Sequence, residues 1–428
     1  MNHDVLKTVI YDQHELIRNY KINERFYSLE KSANYILIGL RRSGKSLMLY
    51  KLVQQLINEG VDWEQIIYIN FEDDRLVEFS ISDFNDIVLT AAEMTSKTPY
   101  FFLDEIQIID GWQKFARRLA DQKQHVYITG SNAKMLSSEM ESQLGGRFLA
   151  QRIMTYSFLE YLVAIGLRND VVHQYTSKLN GQLRAAAKNY MKDGAFPEAI
   201  DYSNKRTYVE NIYNKVLLGD IAARNGIRNV QSLRILMKKI AETITSEVSY
   251  TKLHNAINSI GIKISKDSLI SYVGYAEDAY LIFTTHNYIG KFTERESTPR
   301  YYFYDNGLLN LFLINKDPLL LENTVAIHLK RLYDDDFYYF KSPKTGIDID
   351  FYIPSASTAI QVTYTLDTFN IDRELKSLIA LSKDKTTSVD NYIIVTLEDE
   401  EKTIDTNDIK IQVLPLYSFL MHTSLYFR

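Results

Sequence analysis

The stretch Tyr35–Leu52, YILIGLRRSGKSLMLYKL, decides how the rest of the chain is read. Its opening residues, Tyr35 to Ile38, have the continuity of a strand buried on both faces. After the loop, Leu49, Leu52, Val53 and Leu56 recur at helical spacing until Asn58-Glu59-Gly60 supplies a stop. The loop itself, GLRRSGKS, satisfies G-x-x-x-x-G-K-[ST] through Gly39, Gly44, Lys45 and Ser46. Gly39 and Gly44 admit backbone conformations closed to residues with a Cβ. The loop N–H groups then converge on phosphate oxygens, and the helix behind them presents its positive end. Lys45 neutralises the β- and γ-phosphates, and the Ser46 hydroxyl ligates Mg²⁺. ATP and Mg²⁺ are therefore the expected ligands, with Gly39, Arg42, Ser43, Gly44, Lys45, Ser46 and Leu47 as the nucleotide-binding set. The side chains of Arg41 and Arg42 read equally well as phosphate contacts or as solvated groups.

Working outward, three further strands are predicted at Ile66–Phe71, Tyr100–Glu105 and His125–Asn132, with helical sequence between them. This alternation implies a parallel sheet with helices on both faces. The second of these runs ends in Asp104-Glu105, an acidic pair that fits a Walker B element. Asp104 would hold Mg²⁺ through water and Glu105 would polarise the attacking water. A strand lies between the P-loop and this pair in the sequence, an order that suits the P-loop branch carrying such a glutamate. Asn132, in TGSN, is the expected sensor of the γ-phosphate, with Ser131 as alternate and a plain strand-end turn as the competing reading. Arg147, in LGGRF, reads as an arginine finger toward a neighbouring subunit, a nucleotide sensor within its own, or an exposed structural residue. The expected catalytic set is Glu105, Lys45, Asn132 and Arg147, and the expected metal set Ser46 and Asp104.

Composition bounds the rest. At 428 residues the chain is too long for one ordinary core, so two to four domains are expected. Cysteine is absent, which excludes disulfides, thiolate metal sites and cysteine nucleophiles. A net charge of −5 means that any nucleic-acid contact must use a local basic patch. The first twenty residues are mixed and charged, unlike a signal peptide, and no apolar run has membrane-spanning length. A cytoplasmic protein without membrane contact is expected.

Together GLRRSGKS, INFEDDRL, FFLDEIQIIDGW, ITGSNAKML and LGGRF, with GAFPEA, YFYDNGLLN and GIDIDFYI further on, carry a resemblance. The chain resembles the prokaryotic AAA+-like ATPases that join an N-terminal P-loop domain to a C-terminal nuclease-like domain. The resemblance runs from about Tyr20 to the C-terminus, and LDEIQ followed by Trp112 is typical of the group. It implies an α/β architecture: a parallel-sheet ATPase domain over 1–155, a helical lid over 156–224, a winged-helix-like module over 225–311 and a restriction-endonuclease-like domain over 312–428.

In the third segment, LRILMKKIAETI and the Ser-opened helices SYTKLHNAINSIG and SKDSLISYVGYAEDAYL precede two strands, YLIFTTHNY and RYYFYD. Helix–helix–helix–hairpin is the outline of a winged helix. The recognition helix would start near Ser265 and carries Lys266 but also Asp267, Glu277 and Asp278. The wing has Lys291, Arg295 and Arg300 beside Glu294 and Glu296, so backbone contact with DNA and contact with protein are equally supported. The last segment resembles the PD-(D/E)XK fold, with Glu322 on a helix and Asp350 on a strand, but Gln361-Val362-Thr363 replaces Glu-x-Lys. Cleavage needs two carboxylates on the metal and a lysine by the hydroxide. The domain is therefore expected to be inactive unless a lysine such as Lys330 compensates. The expected function is ATP hydrolysis coupled to action on DNA or a DNA-associated complex. The alternatives are a nucleotide-gated scaffold holding a protein through its C-terminal half, and an ATP-controlled nuclease. A homo-oligomer fits any of them.

Overall fold

The computed structural model describes residues 1–136, 142–167, 177–406 and 408–425. The chain divides into two compact units, Met1–Thr155 with Asp278–Tyr280, and Tyr156–Glu277 with Leu281–Arg428.

In the first unit, helix α1 (His3–Asn19) precedes β1 (Asn34–Ile38), α2 (Lys45–Asn58), β2 (Ile66–Asn70), α3 (Phe84–Met94), β3 (Tyr100–Asp104), α4 (Trp112–Asp121), β4 (His125–Gly130) and β5 (Phe148–Arg152). All five strands are parallel, in the order β2-β3-β4-β1-β5. It is β4 that enters between the P-loop strand and the Asp104 strand, while β2 goes to the edge. The C-terminal ends of β1, β4 and β3 thereby lie side by side, with Ile38 opposite Gly130 and Leu103 opposite Ile128. A row of aromatic rings, Tyr68, Phe102 and Tyr127, stacks across three of these strands at 6.0 and 5.0 Å, as cross-strand partners on one face should.

Two elements of this unit went unread in the sequence. Helix α1 buries Leu6, Val9, Ile10, His14 and Ile17, a 3.6-residue stripe diluted by polar neighbours. Each buried aliphatic side chain contributes about 1.5–3 kcal/mol. The His14 imidazole bonds to the Ile66 carbonyl at 2.7 Å, and burial lowers its pKa. Strand β5 is a partly exposed edge strand, FLAQR, with little apolar alternation to announce it.

The second unit begins with α5 (Phe158–Ala164), α6 (Ser177–Asp193) and α7 (Lys205–Lys215), the last continuing as a π-helical stretch over Val216–Ala223. Helices α8 (Val230–Glu242), α9 (Tyr250–Ser259) and α10 (Lys266–Asp278) follow. Ser249 and Ser265 accept backbone N–H bonds at the starts of α9 and α10, the capping role their positions implied. Strand β6 (Ile282–Thr285) pairs antiparallel with β7 (Arg300–Phe303), and the charged connection between them contains a short helix, α11 (Phe292–Ser297). After α12 (Asn306–Asn310) and α13 (Asp317–Tyr333) comes a separate mixed sheet. It comprises β8 (Tyr338–Ser342), β9 (Ile347–Ile353), β10 (Thr358–Val362), β11 (Asn391–Thr396), β12 (Lys402–Asp405) and β13 (Lys410–Pro415), ordered β12-β13-β11-β10-β9-β8. Helix α14 (Ile371–Ser382) makes the crossover from β10 to its parallel partner β11, and α15 (Leu416–Leu425) closes the described chain.

Two of the quoted motifs meet inside this unit. Gly194 of GAFPEA has φ +74, and a Cβ there would lie 2.0 Å from Asp305 Oδ1 of YFYDNGLLN. Asp305 accepts the N–H of Ala195 and of Gly307, and the Asn306 amide donates to the carbonyls of Met191 and Leu320. These residues are a buried polar clamp that joins α6, α12 and α13, a structural role the sequence alone did not suggest.

Candidate functional site

The P-loop follows β1 and turns directly into α2. Gly39 takes φ +141, and a Cβ there would lie 2.2 Å from the Ile153 carbonyl oxygen, so only glycine lets β1 and the segment after β5 approach. Gly44, at φ +100, caps α2 without a side chain, which leaves the helix's first N–H groups facing the loop interior. The Lys45 ammonium, 3 % exposed, bonds to the carbonyls of Gly39 and Leu40 at 3.1 Å and lies 3.9 Å from Glu105 Oε1. Arg41 pairs with Glu72 at 3.0 Å, which braces the loop against the segment after β2. Beneath the loop, buried Arg25 donates to the carbonyls of Ser43 and Met154 at 2.9 and 2.6 Å. No motif marks Arg25, because it sits in irregular chain ahead of β1.

The acidic pair ends β3 next to β4. Asp104 is buried and accepts hydrogen bonds from Thr129 and, at 2.8 Å, from the Tyr68 hydroxyl. Burial raises its pKa, the negative charge of Glu105 adds to this, and the hydroxyls of Thr129, Tyr68 and Ser46 oppose it. Thr129 Oγ1 also accepts the Glu105 N–H at 2.9 Å, so one hydroxyl ties the two acids to β4. Thr129, Tyr68 and Gln107, which donates to Glu105, were missed in the sequence because each acts from a neighbouring strand or turn. A divalent ion is compatible with this donor set. Asp104 and Ser46 supply oxygen ligands, and among the described residues no cluster of three or more acids or histidines could hold an ion by itself. Such an ion would take its remaining ligands from phosphate and water, as Mg²⁺ prefers.

Asn132 and Ser131 follow β4 and are buried, and Asn132 Oδ1 accepts the Lys134 N–H at 2.7 Å. Arg147 stands elsewhere. Phe148 pairs with Asn34 at the start of β1, whereas the P-loop follows the end of β1, opposite Arg152. Arg147 therefore lies at the far edge of the sheet from the phosphate loop, where it bonds Asp121 and the Gly145 carbonyl. The parallel register of β5 works against a sensing role within its own chain and brings Arg152 to the loop side instead.

In the second unit a cavity of about 480 Å³ is lined by Arg300, Glu322, Asp348, Asp350, Gln361 and Glu374, among others. Arg300 reaches into it from β7, with its guanidinium 3.0 Å from Asp348, 3.4 Å from Asp350 and 3.9 Å from Glu322. At 3 % exposure it is not a wing cation open to a DNA backbone, which corrects the expectation for it. Burial opposes its charge, but Tyr302, Asp350, Glu322 and Asp348 outweigh that and raise its pKa. Burial, reinforced by Asp350, pushes Glu322 up to about 8, and burial lifts Asp350 to about 6 against the pull of Arg300. Gln361 accepts the Asp350 N–H and donates to Glu374 at 2.9 Å, so its amide is knitted into the wall. Thr363 bonds locally to the Thr365 carbonyl. Lys330 is occupied by Asp334 and Asp335.

Residues 31–162 match the model of an AAA domain, and residues 184–319 match a domain of unknown function, DUF8612. An uncharacterised Haemophilus influenzae protein is 28 % identical over 379 residues, covering 86 % of this chain and 90 % of its own. Among solved structures, the Walker-type ATPase PABY2304 of Pyrococcus abyssi aligns over 72 % of this chain and 95 % of its own at 14 % identity and TM-score 0.36. Cdc6p of Pyrobaculum aerophilum aligns over 76 % and 93 % at 12 % identity and TM-score 0.25. The uncharacterised protein MJ1544 of Methanocaldococcus jannaschii is 31 % identical over 430 residues, 97 % of this chain and 95 % of its own. The chain, with its AAA-domain match in the first unit and a separate mixed sheet in the second, belongs to the family of MJ1544.

Proposed function

We propose that the protein binds ATP with Mg²⁺ and hydrolyses it, and that the second unit carries the consequence to DNA or a DNA-associated complex. The observation that carries the first part is the convergence of Lys45 and Glu105, 3.9 Å apart, above the buried carboxylate of Asp104. Lys45 and the loop N–H groups hold the phosphates, Ser46 and Asp104 face the cation, and Glu105 takes a proton from the attacking water. Mg²⁺, when bound, neutralises charge on the phosphate oxygens. Asn132 stays as the γ-phosphate sensor, with Ser131 as alternate, and Arg147 as a finger toward a second copy, once its pair with Asp121 opens. We retain the division into lid, winged-helix-like module and non-cleaving nuclease-like domain at residues 156–224, 225–311 and 312–428. The three helices and hairpin support the DNA reading. The burial of Arg300 favours the scaffold reading, since it leaves Lys291 and Arg295 as the hairpin's cations beside Glu294 and Glu296.

The test is steady-state ATP hydrolysis by the full chain and by Glu105→Gln, without DNA and with single- or double-stranded DNA. Glu105→Gln keeps size and hydrogen bonding, so nucleotide binding should persist while the rate falls by about 10²–10⁴-fold. Equal rates would remove Glu105 from the mechanism. Stimulation by DNA supports action on DNA, and indifference to it supports the protein-binding scaffold.

A further inference from the structure

We propose that Gln107 is a positioning residue for Glu105, a role that rests on the hydrolytic reading of the P-loop site. Glu105 adopts φ +52, in the left-handed region, and the chain then closes a 3₁₀ turn over Ile106–Ile108. That reversal brings the side chain of residue 107 back to residue 105. The Gln107 amide donates from Nε2 to Glu105 Oε2, while Glu105 Oε1 faces Lys45. One carboxylate oxygen is thus fastened to an amide, and the other is turned to the group that meets the phosphates.

The orientation of the amide follows from chemistry. An ionised carboxylate only accepts, so the NH₂ end must face it. This leaves Gln107 Oε1 as an acceptor, and that oxygen is buried and receives no hydrogen bond among the described residues. A buried acceptor without a donor is unfavourable, so the amide is kept in this place by its bond to Glu105. The end of β4 is shaped around the amide. A Cβ at Gly130 would lie 2.8 Å from Gln107 Oε1 and 1.9 Å from Met135 Sδ. The residue before Gly130 is Thr129, the hydroxyl that ties Asp104 and Glu105 together. A single strand end therefore backs both acids and the amide.

In the reaction the water oxygen bonds to the γ-phosphorus and its proton passes to Glu105. The bond from that phosphorus to the bridging oxygen breaks, and the electron pair leaves with ADP. Gln107 fixes the carboxylate that receives the proton.

The experiment measures kcat, KM and the affinity for a non-hydrolysable ATP analogue in the full chain, Gln107→Leu, Glu105→Gln and the double variant. Gln107→Leu should lower kcat roughly tenfold to a hundredfold, the scale of one hydrogen bond to a charged group. KM and analogue affinity should stay within about twofold, because the group acts after binding. The double variant should be no slower than Glu105→Gln, since the amide works through that carboxylate. Gln107→Met, which keeps length without the amide, replaces Gln107→Leu if that variant does not fold. Unchanged kcat, or losses that multiply in the double variant, overturns the role of Gln107 while leaving the hydrolytic site intact. A wild-type rate no higher than that of Glu105→Gln overturns the hydrolytic reading, and Gln107's role falls with it.

Discussion

At the scale of single residues, the site sets a buried cation beside two acids at one strand end. Lys45 is enclosed, satisfied by two loop carbonyls, and close to Glu105 without forming a short ion pair. Replacing Lys45 with alanine removes the cation best placed for the phosphates. Charge-assisted bonds to phosphate are the strong class, so Lys45→Ala should weaken ATP binding by roughly 100-fold or more. Calorimetric titration of the folded variant checks this, and wild-type affinity would show that phosphate is held elsewhere. The P-loop lysine and Glu105 were both legible from local motif alone. Gln107 was visible as a letter in LDEIQ but not as a partner of Glu105, because its contact depends on the left-handed turn at Glu105 itself.

Among elements, the cavity of the second unit shows what one cation does for three neighbours. The Arg300 guanidinium on β7 lies within 3.9 Å of Glu322 on α13 and of Asp348 and Asp350 on β9. Removing one partner of a buried ionic cluster strands the others, so Arg300→Met should destabilise this unit by about 3–5 kcal/mol. Proton linkage gives a second check. The folded pKa of Glu322, about 8, lies above its ordinary 4.5, and that of Asp350, about 6, above 3.8. Between those limits the folded chain holds protons that the unfolded chain has lost, so this contribution to stability declines as pH rises. Glu322→Gln removes the larger part of the effect. Its unfolding midpoint should therefore gain on wild type between about pH 5 and about pH 8. Midpoints that run parallel across that range would show that Glu322 is not a protonated buried acid.

For the whole molecule, the same cluster bears on nuclease chemistry. The place where carboxylates would share a metal is crossed by the guanidinium of Arg300, Gln361 is locked to Asp350 and Glu374, and Lys330 is engaged with Asp334 and Asp335. The full chain should leave plasmid and single-stranded DNA uncut with Mg²⁺ or Mn²⁺, with or without ATP. Metal-dependent cleavage that disappears in Asp350→Ala would restore the ATP-controlled nuclease as the leading function.

The sequence by itself determined the phosphate loop, its flanking strand and helix, the acidic pair at the end of β3 and the alternation that makes the first sheet parallel. Each of these is written in local periodicity or in residue types at fixed spacing, and local backbone physics reads them directly. Only the tertiary structure decided that β4 lies between β1 and β3, that β5 runs in the register that carries Arg147 away from the loop, and that α1 covers β2. It also decided that Arg300, a residue of a hairpin read as a solvated wing, reaches acids up to fifty residues away. Those outcomes depend on strand order and on charges brought together across long stretches of chain, and no window of sequence contains both partners.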